Sequence, residues 1–183
     1  MSESRGIPGT SPSLSSSMEC HLQGLPAILE AAVGGASPEA MQKAPQGKWN
    51  ATQILEHLYL TYTATNQAIA RRLDSGRPLA KAATWKQRLA AFLVTGIGYF
   101  PEGVKAPEVS VPRGVPPELV RSTIFAEIQK MASGLDDCER RFGSTTKILN
   151  HPILGPLNVN QCRKLHWLHA RHHARQIRER TRL

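Results

Sequence analysis

His166-Trp167-Leu168-His169-Ala170-Arg171-His172-His173-Ala174-Arg175-Gln176 lies within Leu157 to Leu183, the stretch on which the reading of this chain turns. Four of the seven histidines fall within eight residues here, and neither Pro nor Gly interrupts the run after Pro156. The run therefore reads as one helix. Each helical residue advances about 100°, so His166, His169 and His173 share a face with Cys162 and Gln176. Arg163, Lys164, Arg171, Arg175, Arg178 and Arg182 are expected on the opposite, outward face. The i, i+4 pair His169 and His173 lets two imidazoles converge on one metal ion without bending the backbone. The alternative is a polar, partly buried helix face, and a third ligand from another helix would decide between them.

Outward from that helix, Asn158 and Gln161 form an N-x-x-Q capping pattern at its start. The same pattern recurs at Lys48-Trp49-Asn50-Ala51-Thr52-Gln53-Ile54, where Asn50 fits an N-cap and Trp49 with Ile54 fits a hydrophobic staple. A helix is expected from Asn50 to about Asp74, stopped by Ser75-Gly76-Arg77-Pro78. It carries His57, with the small residues Thr61, Ala64 and Ala68 above it on the same face. Such residues leave room for a ligand, although alanine also serves close helix packing. Pro116-Pro117-Glu118 opens another helix, whose seam Ile124, Ile128, Met131, Leu135, Cys138 and Phe142 alternates steps of four and three. Gly134 weakens that helix and Gly143 caps it.

The remaining pieces are shorter. Met18 to Val33 reads as a helix that Pro26 breaks or restarts, and Ser37-Pro38-Glu39 as the start of a short helical turn. Trp85, Leu89, Phe92 and Leu93 give helical spacing over Thr84 to about Phe100. Pro101 to Pro117 holds five prolines and two glycines and reads as a long extended connection. His151-Pro152-Ile153-Leu154-Gly155-Pro156-Leu157 reads as a stiff turn. No segment alternates convincingly with period two, so no strand is expected. The expected class is all-α: a four-helix bundle with an extra short helix and a long Pro-rich connection.

Composition bounds the function. The chain has 183 residues, 40% apolar and 20% charged, which fits one domain. Residues 1–17 are mostly Ser, Gly and Pro and are expected to form a disordered tail, with the domain spanning 18–183. The tail lacks the pattern of a signal peptide, and the longest apolar run, Leu89 to Phe100, is too short to span a bilayer. A soluble, cytoplasmic protein is expected. Cys20, Cys138 and Cys162 have no CxxC spacing, which argues for reduced thiols rather than a disulfide framework. The net charge of +9 raises nucleic acid as a partner. Dispersed basic residues and only 5% aromatics disfavour it.

With both histidine helices placed, the chain resembles the DinB/YfiT-like superfamily of metal-dependent four-helix-bundle proteins. Trp49-Asn50-x-x-Gln53-Ile54-Leu55-x-His57-Leu58 is similar to that family's opening of the second helix, and His169-x-x-x-His173-x-x-Gln176-Ile177 to its last-helix signature. Phe100-Pro-Glu-Gly-Val-Lys-Ala-Pro107 and His151-Pro-x-x-Gly155-x-Leu157 resemble an uncharacterised subfamily whose last helix reads LHxxHxxHHxxQ. The resemblance spans residues 22–183. It departs at Arg175, where the family has a small Gly, and at Gln53, where it has an acidic residue.

The resemblance implies His57, His169 and His173 as ligands of a divalent metal; all-nitrogen ligation suits zinc, nickel, iron or copper, with zinc or nickel expected first and iron next. Three imidazoles with one open position are a catalytic type of site. The implied chemistry is activation of a thiol or of water, as an S-transferase or hydrolase would use. The alternative is a non-catalytic metal- or ligand-binding bundle or an interaction module. Thr61, His166 and Gln176 are expected in the pocket or beside the ligands. Gln176 either holds a coordinated water, orients an imidazole or bonds to another helix, and His166 is pocket wall, donor to a ligand or structural packing. His172 is expected at a helix boundary, and Glu56 is not expected to act as a base because it points away from His57. The expected partners are a small-molecule substrate, with a low-molecular-weight thiol as one candidate, and a second copy of the chain in a homodimer.

Overall fold

Asn50 caps a 25-residue helix as its sequence dictates. In the computed structural model, which describes residues 22–99 and 105–182, the Asn50 side chain accepts from the Gln53 N–H at 2.8 Å. The Gln53 side chain accepts from the Asn50 N–H at 3.0 Å in return. The same reciprocal box starts the last helix at Asn158 and Gln161. Residues 1–17, read from sequence as a tail, and Cys20 lie outside the described residues.

In chain order the helices are α1 (Leu25–Val33), α2 (Pro38–Gln42), α3 (Ala51–Ser75), α4 (Trp85–Ala91), α5 (Pro117–Phe142) and α6 (Val159–Thr181). α3 packs along α5 on one side and against α6 on the other, while α1 lies against α6. Pro26 stands in the first turn of α1, where its missing N–H costs nothing. Gly76 ends α3 in the left-handed conformation, at φ 65°. Val120, Ile124, Ile128, Met131, Leu135 and Cys138 of α5 are buried, so its four-three seam is the core face. Cys138 and Cys162 are buried free thiols, and burial pushes the Cys162 thiol up to about 12.

Three expectations are corrected. The stretch after α5 is not a turn alone: β1 (Lys147–His151) and β2 (Gly155–Asn158) pair antiparallel. The hairpin escapes a period-two reading because Ile148 and Leu149 are both buried, as are Gly155, Pro156 and Leu157. Gly155, at φ 71°, opens β2. The molecule is thus mostly helical with a two-stranded sheet.

The segment after Thr84 turns its expected apolar seam outward, with Trp85, Leu89 and Phe92 exposed. Ala91 is buried instead, and the helix then widens into π geometry at Phe92–Ile97, where Val94 and Thr95 are buried.

Arg163, expected on the outer face of α6, is buried at 1% exposure. α5 supplies the carboxylates that permit this: Asp136 and Glu139 each accept from its guanidinium at 2.6 Å. Arg171, Arg175 and Arg182 are exposed as expected, while Lys164 and Arg178 are half-buried.

Gly134 lies where α5 packs tightly against Ile69 of α3. A Cβ there would stand 2.8 Å from the Ile69 Cγ2, a branch methyl with little rotamer freedom in a helix. Gly134→Ala gains about 1 kcal/mol of helix propensity but forces overpacking worth about 1–3 kcal/mol. The expected result is a net loss, with the melting temperature down by about 2–4 °C per kcal/mol lost. A raised melting temperature would show that the two helices separate freely.

Candidate metal centre

α3 and α6 each present histidine to the space between them. Residues 169 and 173 lie one turn apart on α6, and His57 lies two turns into α3, with Trp49 against it at 5.2 Å between rings. The ring centroids of His57, His169 and His173 are 4.5 to 5.2 Å apart. The His169 Nε2 stands 3.2 Å from the His57 Nε2 and 3.0 Å from the His173 Nε2. One nitrogen from each of the three rings lies within 4.8 Å of the others, a group that could hold a metal ion.

Hydrogen bonds on the far sides of the rings fix which nitrogens are available. His57 donates its Nδ1–H to the Ser110 carbonyl at 2.7 Å. His173 donates its Nδ1–H to the Gln176 Oε1 at 2.8 Å. In a neutral imidazole only one nitrogen carries the proton, so both Nε2 atoms present lone pairs to the shared space. A neutral His169 can turn one N–H toward only one of these two acceptors, so a cation among the three nitrogens satisfies what a single hydrogen bond cannot.

Burial keeps the rings neutral. It is the leading cause that lowers the pKa of His57, against a small opposing pull from Ser110. Burial, then repulsion from His173 and His57, sets His169 well below the ordinary histidine value. His173 is pushed down to about 3, by burial first and by His57 and His172 after it. Neutral imidazole is the form that binds metal.

The other sequence candidates divide. Gln176 orients His173. Thr61 donates its hydroxyl to the His57 carbonyl at 2.8 Å, one turn along α3 from that histidine. His166 is buried apart from the three-nitrogen group, with its Nε2 3.4 Å from the Thr65 hydroxyl and its ring 5.8 Å from that of Tyr62. Burial, with repulsion from His151, lowers it to about 3. His172 packs edge-on against His173 at 5.1 Å and is not one of the three.

Two contributors were not legible as such. Ser110 closes a 3-10 turn, Glu108–Ser110, within the Pro-rich connection, and its role rests on a main-chain carbonyl that no side-chain motif reveals. Glu56 is buried at 3% exposure and faces away from the three imidazoles, as its helical position requires. Its carboxylate accepts from the backbone N–H groups of Arg113 at 2.8 Å, Gly114 at 3.3 Å and Val115 at 3.0 Å. A buried acid next to a histidine, followed by a long connection, was the available signal.

Among the described residues no helix is long and apolar enough to cross a membrane. No curated protein and no solved structure matches the chain. The model of one family, described as Protein of unknown function (DUF1569), matches residues 16–180. That range takes in both capping boxes, the Pro-rich connection and all three converging histidines, and the chain belongs to this family.

Proposed function

We propose that His57, His169 and His173 bind one divalent metal ion, zinc or nickel before iron, in a DinB-like four-helix bundle that activates a thiol or water. The observation that carries this reading is the pair of fixed tautomers. The Nδ1–H bonds of His57 and His173 leave two lone pairs aimed at the nitrogen of His169. Held by three neutral imidazoles, a divalent ion would keep its full charge and would supply Lewis-acid activation of a water or thiol. The chain's own part is to hold the three nitrogens at fixed spacing, to orient His173 through Gln176 and to keep the rings deprotonated by burial. Thr61, His166 and Gln176 are proposed to flank the substrate, for which a low-molecular-weight thiol is the first candidate.

Metal content per chain tests the ligand set, measured on protein purified without chelator or polyhistidine tag. Alanine at His57, His169 or His173 is expected to lower occupancy sharply, since two imidazoles seldom retain an ion against buffer. His166→Ala and His172→Ala are expected to keep the parent's stoichiometry. Full occupancy in His57→Ala overturns the assignment, and loss in His166→Ala redraws it. Thiol-dependent consumption of an electrophile by the loaded protein then tests the chemistry, and its absence would leave a metal-binding bundle without turnover.

The buried histidines also predict an acid dependence. His57, His166, His169 and His173 all have lowered pKa values in the fold, and His151 falls to about 4 through burial. The unfolded chain binds protons at these groups from about pH 6.5 downward, and the folded chain does not until its lower values are reached. Their contribution is therefore present above pH 6.5 and lost as pH falls through the folded values. The denaturation midpoint of metal-free protein is expected to drop steadily from pH 7 to pH 4. A midpoint flat over that range would mean the rings are solvated in the fold.

A further inference from the structure

Glu56 and His57 are neighbours on α3, yet both reach the same segment of the Pro-rich connection. His57 holds the Ser110 carbonyl at 2.7 Å. Three residues on, the Glu56 carboxylate gathers the backbone N–H groups of Arg113, Gly114 and Val115 at 2.8 to 3.3 Å. Gly114 turns through φ 86°, which lets successive N–H groups converge on one acceptor. No ion pair of Glu56 exists among the described residues, so its buried charge is balanced by main-chain donors. The two releases differ in cost. Freeing the segment strands a buried carboxylate, whereas removing the carboxylate leaves N–H groups of the exposed Arg113 and Gly114 to water and frees the segment.

We propose that Glu56 is a positioning residue for the metal centre, which acts by clamping residues 110–115 so that the Ser110 carbonyl holds His57 in its ligating tautomer and orientation. This inference rests on the metal reading above and deepens it. The coupling runs both ways. A cation on the His57 Nε2 draws electron density from the ring and makes its Nδ1–H a stronger donor to Ser110. Metal uptake therefore tightens the segment, and by linkage a tighter segment favours uptake. Glu56 itself does not touch the ion, because its carboxylate is committed to the three N–H groups.

Zinc affinity by competition titration, the visible spectrum of the cobalt(II)-loaded protein, and amide exchange at Arg113, Gly114 and Val115 test it on the full chain. Glu56→Ala is expected to weaken zinc binding about 10–100-fold, the usual loss when a ligand's orienting partner fails. It should also lower the intensity of the cobalt bands, as His57 leaves its fixed place. Glu56→Gln keeps one acceptor oxygen but sets an NH2 donor against the N–H groups, and an intermediate loss is expected. In the parent, zinc should slow exchange at the three amides. A lowered melting temperature with parental zinc affinity and cobalt spectrum would make Glu56 a structural anchor only and overturn the proposal. Should Glu56→Ala fail to fold, Glu56→Gln and the parent's exchange decide, and amides indifferent to zinc would likewise overturn it. A parent that takes up no zinc, cobalt or nickel would bring down the metal reading itself, and this inference with it.

Discussion

Three imidazole nitrogens crowd into one small space, and the first consequence is electrostatic. Lone pairs of two neutral rings face the His169 Nε2, which offers at most one N–H, so one acceptor stays unmatched unless a cation lies among them. A proton is a poor solution, because burial has already lowered the affinity of His57, His169 and His173 for it. The fold must therefore hold the rings together by means other than their mutual attraction. It does so from behind, with Ser110 on one ring and Gln176 on another, and from below, with two capping boxes that fix where α3 and α6 begin.

The hairpin serves the same end by setting the start of α6. β2 runs directly into Asn158, so the strand register fixes the cap. Lys147, across the sheet, donates to the Gln161 side chain at 2.7 Å and thereby supports the same box. Arg72, near the end of α3, donates to the Ile148 carbonyl at 3.0 Å and ties the hairpin to the other histidine helix. The two helices that carry imidazoles are thus linked through a short sheet as well as through their packed faces. A positional error in one would be felt at the other, since backbone hydrogen bonds and packed side chains leave little slack.

What the sequence made legible follows the range of the forces involved. Capping boxes and the four-three seam of α5 depend on residues three to seven apart, and they were readable as such. The convergence of His169 and His173 belongs to the same local geometry. Placing His57 beside them needed the resemblance, because nothing within α3 states which helix it faces. Arg163 and the hairpin illustrate the remainder. A guanidinium reads as outward until a neighbouring helix supplies Asp136 and Glu139 at the right height. A strand pair buried on successive residues loses the alternation that would announce it. The outward Trp85 and Phe92 likewise depend on which face of their segment meets the rest of the fold, which helical spacing alone does not state.

Glu56 shows why a charged residue beside a candidate ligand need not join it. A carboxylate on the ion would offset its charge directly and weaken its pull on an incoming water or thiol. One residue back from His57 is about 100° round α3, and there main-chain N–H groups satisfy the Glu56 carboxylate away from the three imidazoles. The first-contact group then consists of neutral nitrogens alone, which suits a borderline-soft ion. One helical step thus separates two tasks: His57 meets the shared space, and Glu56 secures the backbone that holds His57 there.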